Sequence, residues 1–135
     1  NNCRDLVPGD RQLSDEQLTL LIDRGGVIGA VLDAWMLVPG WVHGTSSPEE
    51  VTLEAVADHI DHVCQLAGNS SHAAIGSDIG GTNHMPHDFR TTADLQKIGP
   101  ILAGRGYSPD DLDKIFHRNW LEFFRRWLPQ SAAPR

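Results

Sequence analysis

Two short apolar runs constrain the fold of this chain more than any other feature. Residues 27–32 and 73–78 each follow a helix-like segment that ends in glycine. A continuous apolar run of this length is typical of a parallel strand that is covered on both faces. The second run ends on Asp78 and then opens into Gly80 and Gly81. A carboxylate at the carboxyl end of such a strand more often serves chemistry than stability, the alternative being a cap for the following turn.

Helix signals alternate with the two strands. Ser14 to Gln17 forms a capping box, and Ser47 to Glu50 repeats it with a proline in the first turn. Ser108 and Pro109 start a last helix, in which Asn119 marks a bend. The predicted helices cover about 14–24, 47–67, 91–97, 98–103 and 108–128, with an interruption at 99–100 and long loops over 33–47 and 79–91.

The second half of the last helix is strongly apolar. Trp120, Phe123, Phe124 and Trp127 form a stripe at helical spacing. A stripe of this kind predicts a helix whose aromatic face is part of the core.

Strands that alternate with helices predict an α/β fold with a parallel sheet. Two parallel strands would leave open edges and apolar faces that these helices cannot cover. The sequence therefore predicts a piece of a larger α/β fold, with one segment over 1–128 and a frayed tail over 129–135.

Composition narrows the function. The formal net charge of the 135-residue chain is -7, which argues against nucleic-acid binding because phosphate contacts need clustered Lys and Arg. No apolar run approaches the roughly 18 residues of a membrane span.

Cys3 and Cys64 are predicted to be free thiols. The chain starts with Asn1, so we expect that processing or truncation removed an upstream segment; the compartment is open, with the cytoplasm favoured.

Several blocks of the sequence resemble the renal or membrane dipeptidases, a family of zinc-dependent barrel enzymes. These blocks are Asp58-His59-Ile60-Asp61-His62, Ile75-Gly76-Ser77-Asp78, Ala93-Asp94-Leu95-Gln96, Arg105-Gly106-Tyr107-Ser108 and Asn119-Trp120-Leu121. The opening residues, from Asn2-Cys3-Arg4 to Ser14-Asp15, are similar to bacterial members. The resemblance covers essentially the whole chain.

The resemblance implies the carboxyl-terminal part, about the last third, of a (β/α)8 TIM-type barrel of the metal-dependent hydrolase kind. It implies hydrolysis of dipeptides by a hydroxide held between two zinc ions. Asp78 matches the family's proton-relay aspartate, and Arg11 matches the arginine that binds the substrate carboxylate. Both roles suit these groups, since a carboxylate beside cations stays ionised and a guanidinium pairs with a planar carboxylate.

The family's zinc ligands do not map onto this sequence, so we expect no metal-binding residue in it and no activity from the isolated chain. The expected partners are a dipeptide substrate and either a second copy or the missing amino-terminal part, with no nucleic acid and no membrane. Two alternatives stay open. One is a non-catalytic scaffold or binding module derived from the fold. The other is a related amidohydrolase-type barrel that acts on a cyclic amide or ester.

The remaining candidates are loop and helix residues. His59 and His62 lie on one helix, and we expect them to make hydrogen bonds to a neighbouring helix or loop rather than bind metal. His43, His84 and His87 lie on loops that should rim the site; exposed loop positions are the simpler interpretation and substrate contact the alternative. Asp33 stands where animal members of the family have a tyrosine, and substrate contact is the alternative interpretation for Asp33 as well. Trp35 and Trp41 either wall a pocket or pack within the loop.

Overall fold

A computed structural model describes residues 1–129 of the chain. Strands β1 (Ile28–Val31) and β2 (Ala73–Ser77) are parallel neighbours, and α3 (Leu53–Ala67) lies between them in sequence. The other helices are α1 (Asp15–Asp23), α2 (Ala34–Leu37), α4 (Ile98–Gly104), α5 (Pro109–Asp113) and α6 (Asn119–Trp127), with short 3-10 helices at Pro48–Glu50 and Thr92–Lys97. A π-helical segment, Lys114–Arg118, joins α5 to α6 without a break. The predicted alternation of helices and parallel strands is confirmed.

Two glycines allow the strands to approach each other under an indole ring. A Cβ on Gly76 would lie 2.7 Å from the carbonyl oxygen of Gly29, and a Cβ on Gly29 would lie 3.0 Å from the Trp120 ring. Trp120 Nε1 donates to the carbonyl of Ile75 at 3.0 Å. The last helical segment is thereby attached to the middle of β2.

The core lies where α3 packs on the two strands and on the neighbouring helices. Its largest fully buried apolar side chains come from α1, from the residue after β1, from α3, from α4 and from the π-helical segment. They are Leu18, Leu32, Leu53, Ile60, Ile98, Leu102 and Ile115. The apolar spacing of α3 predicts that Val56, Ile60, Val63 and Ala67 face inward; the first three are buried, and Ala67 is only partly buried. The two strands therefore form one side of a continuous apolar core.

Three of the predicted boundaries are wrong. The helix predicted over 47–67 is broken at Val51, whose backbone is extended, and α3 starts only at Leu53. The Asp88 carboxylate accepts the Leu53 N–H at 3.1 Å, so a distant loop residue sets this start. The loop predicted over 33–47 contains α2. Gly99 and Pro100 do not interrupt a helix, because they lie in the first turn of α4. Backbone N–H groups there have no acceptor within the helix, so the N–H that Pro100 lacks costs no hydrogen bond.

The last helix contains a buried asparagine, and its aromatic stripe differs from the prediction. Asn119 marks the end of the π-helical segment, and its buried side chain donates to the carbonyls of Ser70 and Ala73 at 2.7 and 2.8 Å. The aromatic stripe is not core: Trp120 and Phe123 are half-buried, whereas Phe124 and Trp127 are 46% and 59% exposed. The Trp120 and Phe124 rings stack on each other, and the Phe123 and Trp127 rings lie tilted against each other.

Cys3 and Cys64 are free and buried, as predicted. Burial raises the pKa of each thiol, to about 12 for Cys3 and about 11 for Cys64. Across the described residues, each helix is too short or too polar to cross a bilayer. The tail predicted to fray lies, from residue 130 onward, outside the described residues.

Candidate functional site

The carboxyl ends of β1 and β2 form the edge where the predicted site residues lie. Val31 and Ser77 are the last paired residues of the two strands, and the N–H of the next residue, Leu32, donates to the carbonyl of Ser77 at 3.0 Å. Asp33 directly follows Leu32, and Asp78 directly follows Ser77. Because neighbouring strands lie about 5 Å apart, both carboxylates leave the sheet at the same edge. We call this edge the rim.

Asp78 is held in an unusual backbone turn. Ser77 and Asp78 both have left-handed φ angles, 50° and 65°. The N–H of Asp78 donates to the carbonyl of Gly76 at 2.7 Å, which closes a three-residue turn around Ser77. Non-glycine residues in this region cost about 1–3 kcal/mol each, and they cluster at functional sites. The turn aims the exposed Asp78 away from the sheet.

Gly81 supports the Asp78 carboxylate directly. The N–H of Gly81 donates to the backbone carbonyl of Asp78 at 3.0 Å. A Cβ on Gly81 would lie 3.1 Å from Asp78 Cγ and would collide with its Oδ1. The carboxylate therefore occupies the space that any other residue at position 81 would fill.

Arg11 lies beside the segment that follows β1. Its guanidinium is exposed and lies over the Trp35 ring, 6.0 Å from the ring centroid. Trp35 belongs to α2, which starts directly after Asp33. Arg11 therefore adjoins the chain that leaves β1, whereas Asp78 leaves β2.

Asn2 and Gln12 organise this region, and sequence reasoning missed them. Asn2 Oδ1 accepts the Val31 N–H at 2.8 Å, and Asn2 Nδ2 donates to the Val31 and Met36 carbonyls at 3.0 and 3.1 Å. Gln12 Nε2 donates to the Met36 carbonyl, and Gln12 Oε1 accepts the Asn2 N–H. Both side chains are 1% exposed. Polar residues in a predicted loop carry no sequence signal of burial, so only the contacts reveal them.

The three histidines predicted to lie on loops at the rim make different contacts. The His84 ring lies against His43, with centroids 4.0 Å apart, and against Trp41 at 5.5 Å. His84 Nδ1 is 3.5 Å from Asp33 Oδ1. His87 instead turns its Nδ1 to the Val51 carbonyl at 3.2 Å, and its own N–H donates to the same oxygen. His84 is therefore beside a carboxylate, whereas His87 joins its loop to the start of α3.

The helix histidines make the hydrogen bonds that we expected. His59 Nδ1 accepts the N–H of Cys3 at 3.1 Å, and His62 Nε2 lies 2.8 Å from Asp15 Oδ1 at the start of α1. Burial lowers the pKa of His59 to about 4. His59 is thus a neutral core residue, and His62 links two helices.

Within residues 1–129, one set of three side chains has the spacing of a metal site: Asp5, Asp15 and His62. The set lies where α1 meets α3, and Asp78 is not part of it. Among the described residues, the rim offers the Asp78 carboxylate and the Arg11 guanidinium but no cluster of ligands around Asp78. These residues alone do not fit a two-zinc centre, which needs three or more ligands for each ion.

Comparison with known proteins identifies the family. The family model for membrane dipeptidase, peptidase family M19, matches residues 1–130. The chain belongs to this family, so the resemblance noted from its sequence blocks is confirmed. The family is one of metallopeptidases, that is, hydrolases that depend on a metal.

Individual relatives agree with this assignment. The dipeptidase tcpJ of Claviceps purpurea is 30% identical over 133 residues, which is 96% of this chain and 29% of that protein. A Klebsiella pneumoniae protein from the pqqA 5′ region is 31% identical over 125 residues, which is 93% of this chain and 44% of that protein.

A solved structure gives the fold. A Rhodobacter sphaeroides metallopeptidase, liganded with a phosphinate mimic of the dipeptide L-Ala-D-Ala, matches with a TM-score of 0.80 and 26% identity, over 93% of this chain and 34% of that one. The chain therefore has part of the TIM-barrel-type α/β fold of these metallopeptidases, as predicted. It spans less than half the length of each of these relatives.

Proposed function

We propose that this chain supplies the proton-relay carboxylate, Asp78, and the carboxylate-binding Arg11 of a zinc-dependent dipeptidase. One observation carries the proposal. Asp78 directly follows β2 in a left-handed turn, at the carboxyl end of the parallel strands, where barrel enzymes place their catalytic residues. The dipeptide mimic bound by the Rhodobacter sphaeroides relative supports a dipeptide as the substrate.

The two side chains have complementary tasks. In hydrolysis, a water oxygen bonds to the scissile carbonyl carbon and the carbon–nitrogen bond breaks. The Asp78 carboxylate accepts the proton that the water loses and returns it to the leaving amine nitrogen. The Arg11 guanidinium holds the free carboxylate of the dipeptide through two parallel hydrogen bonds. Zinc would supply an activated water and stabilise the negative charge that develops on the carbonyl oxygen; among the described residues, Asp78 belongs to no set of ligands that could hold it.

Substitutions in the native polypeptide that contains this sequence test the two roles. Asp78→Asn keeps the size of the side chain but cannot accept the proton, so we expect kcat to fall about 10²–10⁴-fold with little change in KM. Arg11→Lys keeps the charge but loses the two-point contact, so we expect a higher KM for dipeptides. Wild-type kcat in Asp78→Asn would refute the relay.

The same variants separate a dipeptidase from a barrel that acts on cyclic amides or esters. Those substrates lack a free terminal carboxylate, so Arg11→Lys should slow dipeptide turnover far more than ester turnover. Equal losses on both substrates would remove the carboxylate-binding role of Arg11.

We also propose that the 135-residue chain is inactive by itself. Its described rim has no set of zinc ligands around Asp78. The assay is dipeptide hydrolysis by the purified chain with added zinc, and zinc-dependent turnover would overturn the proposal.

The exposed aromatic face of α6 favours a second candidate, a non-catalytic scaffold that associates with another chain. Phe124, Trp127 and Leu128 are 46%, 59% and 59% exposed. Light scattering at several concentrations distinguishes the two cases, since a scaffold of this kind would form a concentration-dependent assembly and a monomer would not.

A location in the cytoplasm remains a prediction.

A further inference from the structure

Asp33 occupies the position of a helix cap but does not act as one. It precedes α2, where an aspartate normally accepts an amide N–H of the first turn, yet its side chain makes no capping hydrogen bond. Its Oδ1 is buried and without a hydrogen-bond partner. A buried, unpaired carboxylate oxygen is costly, so its orientation calls for an explanation.

The atom that Asp33 faces is the buried nitrogen of His84. His84 Nδ1 also lacks a hydrogen-bond partner, and it is 3.5 Å from Asp33 Oδ1. This distance is longer than a formed hydrogen bond, but such contacts in unliganded sites commonly shorten when substrate binds. The His84 carbonyl accepts the Ala34 N–H at 2.7 Å, which holds the two loops in this register.

The geometry implies which nitrogen of His84 is available. A proton on Nδ1 would point at the carboxylate, which leaves Nε2 with its lone pair. The His84 side chain is 26% exposed although Nδ1 is buried, so the accessible part of the ring lies on its other side. The His43 and Trp41 rings lie tilted against it, with centroids 4.0 and 5.5 Å from that of His84. An acceptor nitrogen, a carboxylate and aromatic rings together suit a cationic group.

The position of this cluster indicates which part of a dipeptide reaches it. Asp33 follows Leu32, which pairs with Ser77 at the rim, and Asp78 follows Ser77. Arg11 lies over Trp35, two residues after Asp33. If Arg11 binds the terminal carboxylate, the residue that carries this carboxylate lies beside Trp35, and the loops with Asp33 and His84 are its neighbours.

We propose that His84 contacts the side chain of the C-terminal residue of the substrate, that Asp33 positions His84, and that the pair selects a cationic side chain. This inference rests on the proposed dipeptidase function. It distinguishes His84 from His87, whose Nδ1 is turned to the Val51 carbonyl. Asp33 is a positioning residue that acts mainly through the imidazole of His84.

The first test compares kcat/KM for Ala-Lys with that for Ala-norleucine, which has a similar side chain without the charge. We expect the native enzyme to favour Ala-Lys about tenfold, which corresponds to ~1.4 kcal/mol. Asp33→Asn and His84→Gln should each lower this ratio to about one. His87→Gln is the matched control on the same loop and should leave the ratio unchanged. An unchanged ratio in Asp33→Asn and His84→Gln would refute the inference.

The second test does not depend on activity. Nitrogen-15 NMR of the imidazole should show His84 protonated on Nδ1 in the native protein, and Asp33→Asn should weaken that preference. Protonation on Nε2 in the native protein would overturn the assignment. If the enzyme hydrolyses no dipeptide, the proposed function fails and the substrate preference fails with it. If it hydrolyses both dipeptides at a ratio near one, only the selectivity is refuted.

Discussion

Replacing Asn2 with alanine tests whether a side chain substitutes for strand pairing on the free side of β1. Asn2 accepts the N–H of Val31 and donates to its carbonyl, as a neighbouring strand would. It also donates to the Met36 carbonyl, which keeps a second donor in Gln12. The substitution removes three hydrogen bonds and leaves the two Val31 groups without a partner.

The magnitude follows from this count. At ~1 kcal/mol for each hydrogen bond, Asn2→Ala should lower the free energy of unfolding by ~3 kcal/mol. With a urea slope of ~2 kcal/mol per M, the unfolding midpoint should fall by ~1.5 M. A loss of this size is a large part of the 5–15 kcal/mol typical of a folded domain.

The assay is urea unfolding followed by tryptophan fluorescence, with Asn1→Ala as the matched control. Asn1 is exposed, and its side chain makes no hydrogen bond within the described part of the chain, so this change should cost less than ~0.5 kcal/mol. A midpoint for Asn2→Ala within about 0.3 M of the control would refute the reasoning.

Three further predictions concern titration, the rim and the thiols. His59 has a pKa of about 4 when folded and 6.5 when unfolded, so the unfolded chain binds the extra proton between these values. Stability should fall by ~3 kcal/mol as pH decreases from 6.5 to 4, and His59→Gln should flatten this part of a pH series of urea titrations. Gly81→Ala should displace the Asp78 carboxylate and lower kcat at least tenfold with little loss of stability. Gly104→Ala is the control, because a Cβ there would meet open space, and it should leave kcat unchanged. Equal kcat values for the two variants would contradict the contact between Gly81 and Asp78. Because burial raises the pKa of both cysteine thiols, iodoacetamide should label them only after unfolding, and rapid labelling of the native protein would show that they are accessible.

Local patterns predicted the elements well. The capping boxes predicted at Ser14 and Ser47 form, and a helix starts after Ser108 as predicted, because each signal depends on residues within one turn. The two strands form where continuous apolar runs predicted them. The sequence blocks also identified the family, and they singled out Asp78 and Arg11, whose catalytic roles remain predictions.

Two of the errors share one cause, which is that the partner of a residue lay far away in the sequence. The start of α3 is set by Asp88, 35 residues beyond Leu53. The aromatic stripe of α6 was predicted to be core, and helical spacing shows only which side chains share a face, not whether another element covers it.

By itself, the sequence determined the order of helices and strands, the family and the carboxylate at the end of β2, since these follow from patterns within short segments. Only the tertiary structure decided how the rim is built. It laid Arg11 over Trp35, turned Asp33 from its capping position towards His84, and placed Asn2 against β1. The physical reason is that hydrogen bonds and charges act over a few ångströms of space, whatever the separation along the chain.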